Sequence, residues 1–178
     1  MSRVGKKIIS VPAGVELKEE QGLVTIKGPL GVLTRQFPRT VKVIQTGNTV
    51  SVQPLRESND LSAIWGTAGA HIRNMIEGVT KGFTKQLILE GIGYKSVLAG
   101  DTITFDLGFS HQVKMKVPAG LKVVIEKTNI TITSFDKEAV GQFAAVIRAL
   151  KPVEPYKGKG LRYVDELVRR KQGKKTAA

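Results

Sequence analysis

The 178-residue chain has no cysteine, only two histidines, and no run near the ~18 consecutive apolar residues that a membrane helix needs. Without cysteine, disulfides, thiol catalysis and zinc–thiolate sites are excluded. The two histidines, His71 and His111, are forty residues apart and have no ligand spacing of the HExxH kind. A metal centre would then need clustered carboxylates, which the sequence does not offer. The missing apolar run excludes a helical membrane span. The first residues, Met1 to Lys7, are basic but no long apolar stretch follows, so they read as no secretory signal, and the expected location is cytoplasmic. Acidic residues are also scarce: 15 Asp and Glu stand against 28 Lys and Arg, a net charge of +13. Hydrophobic residues make up 41%, enough to build a core and to exclude wholesale disorder.

The excess charge sits at the ends. Residues 1–7 carry Arg3, Lys6 and Lys7 with no acid, and residues 151–178 carry a net +6, so these 35 residues hold +9 of the +13. A balance of this kind points to a polyanionic partner. A membrane surface fits poorly, because the C-terminal stretch lacks the Trp, Phe and Leu face that an interfacial helix buries. A basic tail kept only for solubility and a dock for an acidic protein are the alternatives. Binding that weakens steeply with salt marks the nucleic acid, because each phosphate contact releases counterions.

A degenerate repeat organises the rest. Val41–Val52 aligns with Leu121–Ile132 at a spacing of 80: a β-branched run, a polar turn and an alternating run. Upstream, Phe37-Pro38 matches Val117-Pro118 and Leu30-Gly31 matches Leu107-Gly108; downstream, Gly66–Arg73 matches Gly141–Arg148. In the second copy Ile103, Phe105 and Leu107 alternate with Thr102, Thr104 and Asp106. Val113, Met115 and Val117 alternate with Gln112, Lys114 and Lys116, and Ile130 and Ile132 with Asn129, Thr131 and Thr133. Period two marks strands with one buried face, and Gly47-Asn48 and Gly100-Asp101 supply turns. Each copy closes with a helical stripe. The first is Leu61, Ile64, Trp65, Ala68, Ile72, Met75, Ile76 and Val79, with Ser58, Asn59 or Asp60 as cap. The second is Ala139, Val140, Phe143, Ile147 and Leu150, capped at Ser134 or Asp136 and stopped by Pro152.

The expected fold is α+β: two tandem similar domains, each a small antiparallel sheet packed with one helix, plus a basic C-terminal extension. The expected boundaries are 1–82, 83–152 and 153–178, with a short helix around Asp165–Lys171 and with both domains able to fold when the chain is truncated at Lys151.

No catalytic constellation emerges. Ser110 and His111 are adjacent and would point to opposite faces of a strand. Gly91-Ile-Gly-Tyr-Lys-Ser96 lacks the third glycine of a dinucleotide fingerprint and lies between strands. Glu16, Glu19 and Glu20 sit in a polar stretch and read as a solvated face. An RNA-modifying enzyme would need a base or nucleophile in a pocket, and none is visible. The segment Pro155-Tyr-Lys-Gly-Lys-Gly-Leu-Arg-Tyr163 instead suits a folded RNA backbone. Lys157, Lys159 and Arg162 supply cations. Gly158 and Gly160 would let the backbone approach RNA and offer its N–H groups. Tyr156 and Tyr163 could stack on a base or pack against the domain.

With Glu154–Tyr163, Val11-Pro-Ala-Gly14, Gly82-Phe-Thr-Lys85, Leu89–Lys95, Leu107-Gly-Phe-Ser-His111, Gly141-Gln142 and Ala144-Ala145, the chain resembles the family of large-subunit ribosomal protein six, bacterial type. It departs at Val153, where that family commonly has proline. The resemblance implies two similar α+β domains, binding to 23S ribosomal RNA beside the sarcin–ricin loop and the stalk base, and no catalysis or cofactor. It implies neighbouring large-subunit proteins and nearby translational GTPases as partners, with no membrane and no small-molecule substrate. Carried onto this sequence, the RNA-contacting residues are Lys151, Tyr156, Lys157, Gly158, Lys159, Gly160, Arg162 and Tyr163. The cations Arg169, Arg170, Lys171, Lys174 and Lys175 follow, then Arg3, Lys6 and Lys7.

Overall fold

A computed structural model describes residues 5–55 and 60–173. The first unit runs to Gly82 and includes residues 135–137; the second comprises residues 83–134 and those from 138 onward. In the first, β1 (Ile9–Ser10) is followed by the meander β2 (Glu16–Glu20), β3 (Leu23–Gly28) and β4 (Gly31–Gln36), then by the hairpin β5 (Val41–Thr46) and β6 (Thr49–Pro54), and by helix α1 (Leu61–Lys81). The second repeats the order with β7 (Phe83–Glu90), the meander β8 (Lys95–Ala99), β9 (Thr102–Asp106) and β10 (Val113–Lys116), the hairpin β11 (Lys122–Glu126) and β12 (Asn129–Ser134), and helix α2 (Lys137–Leu150). One strand more, β13 (Gly160–Tyr163), ends it.

The strands of each unit divide into two antiparallel sheets. The meanders give β2-β3-β4 and β10-β9-β8, and the opening strands join the hairpins as β1-β6-β5 and β11-β12-β7-β13. Register equates the copies: Ile9 pairs with Val50 as Leu87 pairs with Ile130. Val11 donates its N–H to Asn48 O at 2.8 Å, and Leu89 donates to Thr128 O at the same distance. The turn after each meander is shared too, Val41 N to Pro38 O at 3.2 Å and Leu121 N to Pro118 O at 3.3 Å.

The alternating residues face the cores. Val24, Ile26, Val50 and Val52 meet Ala68, Ile72, Met75, Ile76 and Val79 of α1 in one core. Leu87, Leu89, Ile103, Phe105, Leu107, Ile130 and Ile132 meet Val140, Phe143, Ala144 and Ile147 in the other. Each fully buried Ile, Leu or Val contributes roughly 1.5–3 kcal/mol.

The sequence offers three caps for α1 and two for α2. Ser58 and Asn59 lie outside the described residues, and Asp60 precedes α1 without a side-chain cap bond. The Ser134 hydroxyl donates to Gly120 O at 2.7 Å, and Asp136 stands directly before α2. At the far end of α1, Lys81 occupies the last turn, where a cation opposes the negative dipole end. Gly82 follows at φ 74°, a conformation that only glycine adopts cheaply, and its N–H returns to Gly78 O.

Candidate nucleic-acid interface

The basic C-terminal stretch is, as far as it is described, part of the second unit. β13 pairs antiparallel with β7, Gly160 opposite Glu90 and Tyr163 opposite Leu87. Leu161 is fully buried in the core, and its N–H donates to Lys151 O at 2.8 Å. Two consequences correct the sequence expectations. No helix forms over 165–171, and the core of the second domain includes Leu161 of the segment that the sequence places outside it.

The loop before β13 is closed by its own backbone. Glu154 N donates to Lys159 O at 2.8 Å, and Gly158 N donates to Glu154 O at 3.1 Å. The chain beyond β13 folds back onto this loop, with Lys171 N donating to Pro155 O at 2.8 Å. Arg170 lays its guanidinium against Gly158, where a Cβ would stand 3.0 Å from its Nη2. Gly158 has φ 73°, so a larger residue there would be strained and would displace Arg170.

Gly160 is more constrained. At φ 138°, a Cβ would stand 2.7 Å from Pro152 O and 2.8 Å from Lys151 O. Both glycines are buried, and the Gly158 N–H is already spent within the loop. The close approach they permit is of the chain to itself. For the Gly158 N–H, that replaces the expected offer to RNA.

The candidate cations divide into two groups. Arg162 Nη2 donates to Glu90 Oε1 at 2.6 Å, so it is a paired structural charge. Lys151 holds its ammonium 4.4 Å from the Phe109 ring centroid and 6.0 Å from that of Tyr94. By contrast Lys157, Arg169, Arg170 and Lys171 are exposed and Lys159 is half-buried, all on the backbone-tied loop and the segment folded against it. Of the tyrosines, Tyr156 is 55% exposed and available to a partner. Tyr163 packs against the core, with Lys85 Nζ 5.6 Å and the Arg148 guanidinium 5.9 Å from its ring centroid. Lys6 and Lys7 are exposed in the first unit, while Arg3, Lys174 and Lys175 lie outside the described residues.

Several supporting residues escaped the sequence. Arg148 donates twice to Glu166, at 2.7 Å to Oε2 and 2.5 Å to Oε1, and Tyr163 N donates to the same carboxylate at 3.3 Å. The Arg148 guanidinium holds the Glu166 carboxyl below its ordinary range, helped by the Tyr163 N–H, and the same hydrogen bond raises Arg148. This clasp joins α2 to the turn after β13. The signal for β13 itself was present, since Leu161 and Tyr163 alternate with Gly160 and Arg162.

Chemically, the arrangement presents exposed cations on a backbone-tied frame. The adjoining concavity, about 250 Å³, is lined by Thr84, Lys85, Gln86, Tyr163, Val164 and Asp165, without a nucleophile–base pair. Among the described residues no three His, Asp or Glu side chains gather into a metal-binding group.

Comparison with known proteins agrees with this picture. The chain is 48% identical to "Large ribosomal subunit protein uL6" of Magnetococcus marinus over 176 residues, 98% of this chain and 99% of the relative. It is 47% identical to the protein of that name from Lactiplantibacillus plantarum and 46% to that from Streptococcus suis, each over 98% of both chains. The sequence model of the family described as Ribosomal protein L6 matches residues 11–82 and 90–164, one segment in each unit. A duplicated α+β fold whose second copy carries a clamped basic loop therefore has its place: the chain belongs to the ribosomal protein L6 family.

Proposed function

We propose that the protein is a non-catalytic structural constituent of the large ribosomal subunit. On this reading it binds 23S ribosomal RNA near the sarcin–ricin loop and the stalk base, beside neighbouring ribosomal proteins, in the region where translational GTPases dock. The observation that carries it is the platform in the second unit. Lys157, Lys159, Arg169, Arg170 and Lys171 project from a loop and a returning segment tied together by the Lys171–Pro155 and Gly158–Glu154 backbone bonds. Cations on a fixed frame lose little freedom when they meet phosphates, and they impose a spacing that a free tail does not. Tyr156 adds an exposed ring, and Arg3, Lys6, Lys7, Lys174 and Lys175 add charge elsewhere. Arg162, Tyr163, Gly158 and Gly160 serve by building the platform.

The test is salt-titrated binding of the full chain to large-subunit ribosomal RNA, with Lys157→Gln, Lys159→Gln and Arg170→Gln combined for comparison. The wild-type slope of log affinity against log salt is expected to be steep, and the triple variant is expected to lose about 2 to 3 units of it. An unchanged slope would overturn the platform as the anchor. Chemical footprinting of the bound RNA tests the position, with protection expected in the sarcin–ricin loop and stalk-base helices.

A further inference from the structure

We propose that the loop between β9 and β10 is a second RNA contact of a different kind, in which Phe109 stacks on one unpaired base. The inference rests on the reading of the chain as an RNA-binding ribosomal protein and adds to it a contact that does not depend on charge.

The two units differ sharply here. In the first, β3 and β4 are joined by the two residues Pro29-Leu30. In the second, six residues, Leu107–Gln112, join the equivalent strands. Leu107 is buried, but Phe109, Ser110 and His111 all face outward. Phe109 belongs to neither core, is 42% exposed, and lies 6.1 Å from the His111 ring with the two planes 17° apart.

The loop is held in shape from below. Tyr94 fills the space beside both Gly91 and Gly108: a Cβ on Gly91 would stand 2.2 Å from Tyr94 Cδ2, and one on Gly108 3.2 Å from Cε1. Gly108 also has φ 72°, a backbone conformation that favours glycine there. The Lys151 ammonium lies over one face of the Phe109 ring, 4.4 Å from its centroid, which leaves the base to stack on the exposed part of the ring. Lys151 is itself tied to β13 through its carbonyl, which accepts from Leu161 N.

A ring fixed by its neighbours, kept out of the core and accompanied by a cation is suited to a base and its phosphate. Stacking needs an open base face, which an A-form helix does not expose, so the nucleotide belongs to a loop, bulge or end. A stack also differs from a phosphate contact in its salt dependence. Removing it lowers affinity equally at every salt concentration, whereas removing a cation changes the slope.

The experiment measures binding of the full chain to large-subunit ribosomal RNA across a salt series, for wild type, Phe109→Leu and Phe109→Tyr. Phe109→Leu is expected to weaken binding about tenfold at all salts with the slope unchanged, and Phe109→Tyr to keep wild-type affinity. In Phe109→Trp, the added indole emission is expected to be quenched on binding, read against the Trp65 background of wild type. Wild type that binds while Phe109→Leu binds equally well, or an added indole that is not quenched, overturns the stack and leaves the platform standing. Wild type that fails to bind the RNA overturns the function proposed above.

Discussion

In the first unit the opening strand is two residues long and its sheet stops there; in the second the opening strand is eight residues long and β13 lies along its outer edge. Register makes the contrast specific. Pro12 occupies the position of Glu90, and proline blunts an edge because it has no N–H to donate. Glu90 instead holds Arg162 and faces Gly160 across the ladder. Both copies solve the same core problem, but only the second spends extra chain on its edge, and that chain carries the basic platform. Sequence composition places the charge; the duplication explains why it can be rigid.

The largest effect should come from removing what distinguishes the copies. Deleting residues 151–178 is expected to abolish cooperative unfolding of the second unit while the first keeps its own transition, read by denaturant melts. Two transitions surviving intact would mean that β13 is dispensable. Leu161→Ala should cost about 3 kcal/mol in the second unit alone, because it opens a cavity under a fully buried side chain. Gly160→Ala should follow at about 2 kcal/mol, since the new methyl meets two carbonyl oxygens at a φ that L residues avoid.

The smallest effect concerns the clasp. Glu166→Gln is expected to cost under about 1 kcal/mol, because its ion pair is partly exposed. Its sign in pH is fixed. A carboxyl with a lowered folded-state pKa adds stability above its unfolded value and loses it as pH falls through the folded one. The wild-type advantage over Glu166→Gln should therefore be full at neutral pH, begin to fall near the unfolded value of about 4.3, and vanish only below the lowered folded one.

Most of the fold was legible because it is local. The alternation of Ile103, Phe105 and Leu107 and the stripe from Ile64 to Val79 each announce one buried face, and the spacing of 80 between hairpins announces the duplication. The last strand was not, although Leu161 and Tyr163 carry its period. Four residues amid Pro, Gly and Lys give a short signal, and the partner Leu89 lies 72 residues upstream. For the same reason the cations were visible as residues while their division into free and paired was not. Glu90 and Arg148, which organise Arg162 and Glu166, are remote in sequence. The sequence suggests that the loop glycines make room for RNA, whereas the nearest atoms that a Cβ would meet belong to Arg170 at Gly158 and to Lys151, Pro152 and Val153 at Gly160.

Residues 160–163 of the basic segment form a strand of the second domain before any RNA is bound. Amide hydrogen exchange of the free, full-length protein tests it at one residue, Leu161, whose N–H meets Lys151 O. Exchange as slow as in the β7–β12 ladder is expected, at the full stability of the unit. Exchange as fast as at Leu167, which is 98% exposed, would contradict it.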